Sequence, residues 1–225
     1  MSGGSGGPGG RGKQLGTMAM LSGPTLQGIY RTLWPEGLPG YTKVFAIADG
    51  AQDKRLYGAV DASRQDRCCL YSVERRWGGQ DLPWQLLMTG PYLVELDPEE
   101  ELTRHLLRHG WDQHWGIFFR SDTGMQNVRR HFRGLLTVRD EKGRKLMFRY
   151  YDPRVLRAYL PTCLPGELRQ VFGPVGTYIV PGDDPETAIA FRLDDGRLSK
   201  DLVLLRDGPP VDESTSRSQV LTTDP

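Results

Sequence analysis

The 225 residues of this chain carry 29 basic and 28 acidic side chains, and the formal net charge at pH 7 is +1. A balance this even excludes any argument from total charge for binding nucleic acid, a membrane surface or an acidic substrate. The length suffices for one sizeable core or two small lobes, and no stretch approaches the ~18 apolar residues of a membrane span.

The two ends of the chain have the composition of flexible segments. Residues 1–24 are rich in glycine, and residues 207–225 are polar and lack hydrophobic periodicity, so we predict a flexible tail at each end. The start has no apolar run of the kind found in signal peptides. The three cysteines are odd in number, and Cys68 and Cys69 point to opposite faces if they lie in a strand. A cytoplasmic location is therefore expected.

Short apolar runs bounded by turn residues predict several strands in the first half of the chain. They are KVFAIADGA, which ends in a turn at Asp49 and Gly50, and then DRCCLYS, PYLVEL and WGIFFRS. Before the last of these, DPEEELTRHLLRHG predicts a helix that is capped by Asp97 and ends at Gly110. Together these elements predict an N-terminal α/β lobe over residues 25–122.

A basic amphipathic helix is predicted to begin at Ser121 or Asp122. Its apolar side chains, which are predicted to face inward, are Met125, Val128, Phe132 and Leu135. Its basic side chains, which are predicted to face outward, are Arg129, Arg130 and Arg133. Such a face is typical of a solvated helix or of a surface for an acidic protein partner. No ladder of aromatic residues interleaves it, which argues against nucleic acid.

The motif FRYYDPRVL follows a predicted hairpin in LLTVRDEKGRKLMFRYYD. Asp152 is predicted to cap a helix with Pro153 at its first position, and either Arg149 or Arg154 is available to pair with the carboxylate. The runs GTYIVPG, TAIAFRLDDG and LSKDLVLL then predict a smaller, mainly β lobe, which completes the segment 123–206. The predicted fold class is α/β, more specifically α+β. A mixed-sheet N-terminal lobe is predicted, followed by this smaller C-terminal lobe.

Charge is distributed unevenly along the chain. Residues 103–170 carry 14 basic and 6 acidic groups, whereas residues 171–225 carry 5 and 10. Two hypotheses follow: either these segments attract each other, or each one addresses a different partner.

No catalytic or metal-binding motif stands out in the sequence. His105, His109 and His114 lie close together but lack the HExxH pattern and a nearby cysteine pair, so neither a metal nor a cofactor is predicted. Phosphate-loop and nucleophile-elbow patterns are also missing. Four tryptophans on irregular segments are either core residues or interface anchors; they are Trp77, Trp84, Trp111 and Trp115. A hydrolase or nuclease that uses Arg, His and Asp groups, or a structural subunit of a larger assembly, stays open.

Four segments resemble, in order and spacing, the bacterial type VI secretion adaptor family. They are FAIADGAQDKRLY, GPYLVELDP, WGIFFRSDTGMQNVRRHFRGLLTV and LMFRYYDPRVLRAYLP. Members of this family are effector chaperones, often called Tap or TEC proteins, that are encoded beside VgrG spike genes. The resemblance runs from about Tyr41 to about Gly176, and FRYYDPRVL is its most specific part. It implies a cytosolic, non-enzymatic protein that binds a toxic effector and helps to load it onto VgrG, without nucleic acid or a membrane as partner.

The resemblance also singles out individual positions. Asp49 and Gly50 match the first turn of the family. The positions that match its central strand are Pro91, Tyr92, Leu93 and Glu95. Its signature corner corresponds to Arg149, Asp152, Pro153 and Arg154. The resemblance gives none of these residues a catalytic role, so together with the basic helix they are predicted to form a platform for partner binding.

Overall fold

The protein is described from a computed structural model that places residues 21–73, 82–139 and 141–206. The strands in these ranges are β1 (Lys43–Asp49), β2 (Arg67–Cys69), β3 (Pro91–Glu95), β4 (Gly116–Ser121), β5 (Thr137–Arg139), β6 (Lys145–Met147), β7 (Val175–Pro181), β8 (Thr187–Asp194) and β9 (Arg197–Leu204). The α-helices are α1 (Gly23–Leu33), α2 (Leu56–Ala62), α3 (Trp84–Thr89), α4 (Glu101–His105), α5 (Met125–Leu135), α6 (Pro153–Tyr159) and α7 (Pro165–Phe172). A π-helical turn, Leu106–Gly110, extends α4, and a 3-10 turn, Leu160–Thr162, extends α6.

Seven strands form one sheet in the order β2-β3-β1-β4-β7-β8-β9, and β5 pairs with β6 in a separate hairpin. The α+β class is confirmed. The sheet was expected to be mixed, but the strand pairs within the described ranges are antiparallel. The reason is that β1 lies between β3 and β4, and that the last strands follow one another through short connections. The β8–β9 turn has positive φ at Asp195 and Gly196, as predicted from DDG.

The strands predicted for a C-terminal lobe continue the sheet of the first half, since β7 pairs with β4. The division of the chain at residue 122 into separate lobes stays a prediction, but strands from both sides of it belong to the same sheet. The segment between β4 and β7 contributes α5, α6 and α7 to one face of the sheet.

Alternation along the strands divides the core into two layers, because successive side chains of a strand point to opposite faces. Phe45 of β1 contacts the cluster that includes α5, α6 and α7, whereas Ala46 contacts the cluster that includes α1, α2 and α4. Cys68 and Cys69 are likewise divided between the two clusters, as predicted. The sheet is therefore covered by helices on both faces.

Two helices begin later than the sequence predicted. The Asp97 carboxylate accepts a hydrogen bond from the Glu99 N–H at 2.9 Å, and α4 begins only at Glu101, so the prediction that Asp97 caps this helix is wrong. The short turn formed by Asp97 uses the carboxylate that was expected to cap the helix. Similarly, Ser121 is the last residue of β4, and Gly124 is the residue that precedes α5.

The first helix packs against the end of the last strand. Ser22 caps α1 by accepting from the Thr25 N–H at 3.3 Å, so the last two residues of the predicted flexible tail lie in this helix. At Gly28 a Cβ would lie 1.8 Å from the carbonyl oxygen of Leu205, so only glycine permits this approach. The predicted tails 1–20 and 207–225 lie outside the described residues. Within the described ranges, no helix has both the length and the apolar character needed to cross a membrane.

Candidate functional site

Asp49, at the end of β1, connects the sheet to the predicted corner, which we define as Arg149, Asp152, Pro153 and Arg154. The Asp49 side chain is only 3% exposed and forms an ion pair with Arg149, which lies 100 residues further along the chain. The same carboxylate accepts hydrogen bonds from the Ala51 N–H at 3.1 Å and from the Gln52 side-chain amide at 3.0 Å. The buried charge is therefore compensated by a cation and by two further donors.

Asp152 caps α6, as predicted. Its Oδ1 accepts from the Arg154 N–H at 3.0 Å, and the Arg154 guanidinium binds both carboxylate oxygens at 3.0 and 2.8 Å. Arg154 is thus the partner of Asp152, whereas Arg149 pairs with Asp49. Burial acts to raise the pKa of the Asp152 carboxyl, but the hydrogen bonds and the charge of Arg154 outweigh it, and the pKa is lowered.

Two tyrosines join the corner to the segment after β2. The hydroxyl groups of Tyr71 and Tyr151 lie 3.1 Å apart, and the Arg149 guanidinium carbon is 5.8 Å from the centre of the Tyr151 ring. The sequence interpretation gave neither tyrosine a role. The adjacent aromatics in FRYYDP were a signal, but only the fold brings Tyr71 to this place.

The basic face of α5 also contacts the segment after β2. Arg129 and Arg133 donate hydrogen bonds to the backbone of residues 70–73. The contacts are those of Arg129 with the carbonyl oxygens of Ser72 (2.8 Å) and Val73 (2.9 Å), and those of Arg133 with the carbonyl oxygens of Leu70 (2.7 Å) and Ser72. The prediction that both arginines face outward is therefore wrong, because carbonyl groups beyond the end of the strand need donors. Arg130 is exposed, as predicted, and binds the Asn127 side chain at 3.1 Å.

The start of β3 lies beside Asp49. Pro91 pairs with Asp49, and the Gly50 N–H donates to the carbonyl oxygen of Gly90 at 2.9 Å. A Cβ at Gly50 would lie 2.8 Å from that same oxygen, which explains why glycine stands there. Tyr92 is fully buried, so it belongs to the core and is not accessible to a partner.

Glu95 is not brought to the corner. It lies at the opposite end of β3 from Pro91, which over this length of strand is roughly 13 Å away. There it forms an ion pair with Lys43, at the start of β1, with an N–O distance of 2.7 Å.

Arg157 connects α6 to the end of β7. Its guanidinium donates to the Pro181 carbonyl oxygen, to the Gly182 carbonyl oxygen at 2.7 Å and to the Asp183 carboxylate at 2.6 Å. This contact joins the basic and acidic parts of the chain that the charge distribution distinguished. Nearby, burial and then the charges of Arg154 and Arg157 lower the pKa of His114.

The charged groups at this end of the sheet hold structural elements together. Asp49 and Asp152 each bind an arginine and a backbone N–H, and Arg157 binds the end of β7. Across residues 21–73, 82–139 and 141–206, no three His, Cys, Asp or Glu side chains are grouped as metal ligands. The arrangement connects β1, α6, β7 and the segment after β2.

The tryptophans fall into two groups. Trp111 and Trp115 are buried in the core. Trp84 is 57% exposed, and its ring meets that of Tyr57 edge to face at 4.9 Å. Trp77 lies outside the described residues.

The β5–β6 hairpin exposes apolar side chains. Val138 is 39% exposed, Leu146 47% and Met147 55%, and Val138 lies directly opposite Leu146. Exposed basic side chains accompany them; they are Arg139, Lys142, Arg144 and Lys145. In the chain the hairpin is followed immediately by Phe148, whose N–H donates to the Leu136 carbonyl oxygen at 3.0 Å, and then by the corner.

The fold and the site define an α+β protein in which arginine contacts join several elements at one end of the sheet, and an exposed hairpin directly precedes the corner in the chain. The family described as a domain of unknown function, DUF4123, matches residues 44–170, and the chain belongs to this family. No curated protein and no solved structure gives a significant match. The matched range lies within the range of the resemblance seen in the sequence and contains Asp49, the hairpin and the corner, whereas β7, β8 and β9 lie beyond it.

Proposed function

We propose that the protein is an adaptor that binds a type VI secretion effector in the cytoplasm and promotes its loading onto the VgrG spike. Membership of the DUF4123 family and the resemblance of the sequence to the effector chaperones support this function. The observation that carries the proposal is the exposed apolar hairpin beside the corner.

The hairpin has the properties of a protein-binding element. Exposed apolar side chains such as Leu146 and Met147 gain free energy when a partner covers them. The hydrogen bond from the Phe148 N–H to the Leu136 carbonyl oxygen continues the pairing of the two strands at the base of the hairpin, and a hairpin that is already formed loses less entropy on binding. Residues 137–147 carry four basic and two acidic residues, so the hairpin has a net positive charge and favours a partner segment that combines acidic and apolar residues.

The proposal is tested by recovering partners of the tagged protein from a lysate of its native host at physiological salt, with identification by mass spectrometry. Wild type is expected to recover a toxin-like polypeptide, with or without a spike protein. The variant Leu146→Asp/Met147→Asp is expected to recover at least about tenfold less of this polypeptide. Each lost apolar contact is worth on the order of 1.5 kcal/mol or more.

Tyr41→Asp is the matched control, because Tyr41 is also an exposed apolar side chain but lies in the loop before β1. It is expected to recover the polypeptide as wild type does. Equal recovery by the hairpin variant and wild type contradicts the role of the hairpin, and a wild-type protein that recovers no toxin-like polypeptide contradicts the adaptor function.

One observation favours the alternative, a hydrolase or nuclease of unknown substrate. His105 lines an open cavity together with Ser63, Arg64 and Glu101. Burial, followed by the charge of His109, lowers the pKa of His105, and a perturbed histidine that lines a cavity is a candidate for a functional group. A hydrolytic activity of the wild-type protein that is absent from His105→Ala supports this alternative, provided that the variant recovers the polypeptide as wild type does.

A further inference from the structure

Two arginines lie in one row across the sheet, on the face that α1 covers. Arg120 of β4 is opposite Thr177 of β7, and Thr177 is opposite Arg192 of β8. Residues at paired positions point to the same face, and strands lie about 4.8 Å apart, so the backbones of the two arginines are roughly 10 Å apart. Thr177 lies between them in the row and is itself buried.

Both arginines of this row line an open cavity between α1 and the sheet. The charged residues in the lining are three arginines and one aspartate, namely Arg31, Arg120, Arg192 and Asp201. The Asp201 carboxylate is engaged by the Arg192 guanidinium at 2.5 Å. The positive charge of Arg120 lies in the same lining beside this ion pair, although the whole chain is nearly neutral.

Arg120 contributes an uncompensated charge to this cavity. Its side chain is partly buried, and within the described part of the chain it makes no hydrogen bond and no ion pair. Burial, followed by the charge of Arg192, lowers the pKa of its guanidinium. A partly buried guanidinium beside a second arginine and without an anion is electrostatically unfavourable, and a bound anion relieves this cost.

We propose that this cavity binds an oxyanion between Arg120 and Arg192, carried either by free phosphate or by a carboxylate. The planar donors of a guanidinium match the oxygen atoms of both groups, and two guanidinium groups that line one cavity can bind the anion from two sides. The site goes beyond the adaptor function and does not depend on it.

The test is an NMR titration of the isotope-labelled full chain with inorganic phosphate and, separately, with glutarate, at constant ionic strength. Saturable shifts are expected for the backbone amides of Arg120, Thr177 and Arg192. A response to phosphate alone identifies a small tetrahedral anion, and a response to glutarate identifies carboxylates as ligands. Saturation by neither probe overturns the proposal.

Variants separate a binding role from a structural one. Arg120→Gln is expected to weaken anion binding at least tenfold, and Arg120→Lys is expected to retain part of the affinity. Arg169→Gln, which replaces an exposed arginine on α7, is expected to leave the affinity unchanged. The melting temperature of anion-free Arg120→Gln is expected to equal or exceed that of wild type. Unchanged affinity in Arg120→Gln, or a lower melting temperature without anion, overturns the proposal.

Discussion

Arg149 and Arg154 belong to one motif but bind different carboxylates. Arg154 binds Asp152, its near neighbour in the chain, and this pair stabilises the start of α6. Arg149 binds Asp49, at the end of β1, and connects the corner to the sheet. At the level of single residues the motif therefore combines a local cap with a long-range ion pair.

We predict that Arg149→Gln lowers the free energy of unfolding by about 1–3 kcal/mol, because it removes the charged donor from the buried Asp49 carboxylate. The value lies below that of a fully buried pair, since the Arg149 side chain is 48% exposed. Urea denaturation followed by circular dichroism measures it.

Arg154→Gln is the comparison, because Asp152 keeps its hydrogen bond from the helix N–H in this variant. The free energy of unfolding of this variant is expected to fall by less than about 1 kcal/mol. In a double-mutant cycle, Asp49→Asn and Arg149→Gln are expected to be less than additive. A variant Arg149→Gln that is as stable as wild type contradicts the role assigned to this ion pair.

Among the structural elements, α5 has two functions. One face of the helix buries Val128 and Phe132 in the core. Arg129 and Arg133, on another side of it, bind the carbonyl groups of residues 70–73 and so fix the chain beyond β2. The helix therefore binds the segment that carries Tyr71, the partner of Tyr151.

We predict that Arg133→Met loosens residues 70–73, since it removes donors to two carbonyl groups while keeping the apolar stem. Amide hydrogen exchange is expected to accelerate for Leu70 and Ser72, whose N–H groups are hydrogen-bonded in the structure. The free energy of unfolding is expected to fall by about 1–3 kcal/mol. Arg130→Met, an exposed arginine on the same helix, is expected to change neither quantity, and unchanged exchange in Arg133→Met contradicts the interpretation.

At the scale of the whole molecule, the fold disfavours the charged form of several histidines. Burial lowers the pKa of His105, His114 and His131. An unfolded histidine has a pKa of about 6.5, so the unfolded state binds more protons in the range below that value. The contribution of these neutral histidines to the free energy of unfolding is complete above pH ~6.5. It is lost as the pH falls toward the pKa values of the folded state.

We therefore predict that the free energy of unfolding falls as the pH is lowered from about 7 to about 5. Urea denaturation at a series of pH values measures the slope. His131→Gln is expected to make the slope shallower, because the His131 ring, which contacts the Phe132 ring and hydrogen-bonds to the Val171 carbonyl oxygen at 2.9 Å, is replaced by a group that does not titrate. A stability that is constant or rises over this range contradicts the prediction.

Features that depend on neighbouring residues were predictable from the sequence. The strands follow from short apolar runs, the inward face of α5 from helical spacing, and the cap at Asp152 from its position before Pro153. The first helix, α1, was missed, because the glycine-rich start extended the predicted tail past its beginning. The family resemblance also located the matched range, whose motifs are local.

The sequence by itself determined the α+β class, most of the elements and the local chemistry of the corner, because each follows from residues that are close in the chain. Only the tertiary structure decided that β7 continues the first sheet and that Arg149 binds Asp49. It also decided that Arg129 and Arg133 serve backbone carbonyls and that Arg120 shares a row with Arg192. These contacts depend on strand order and register, which are set by the packing of the whole core and not by the spacing of residues along the chain.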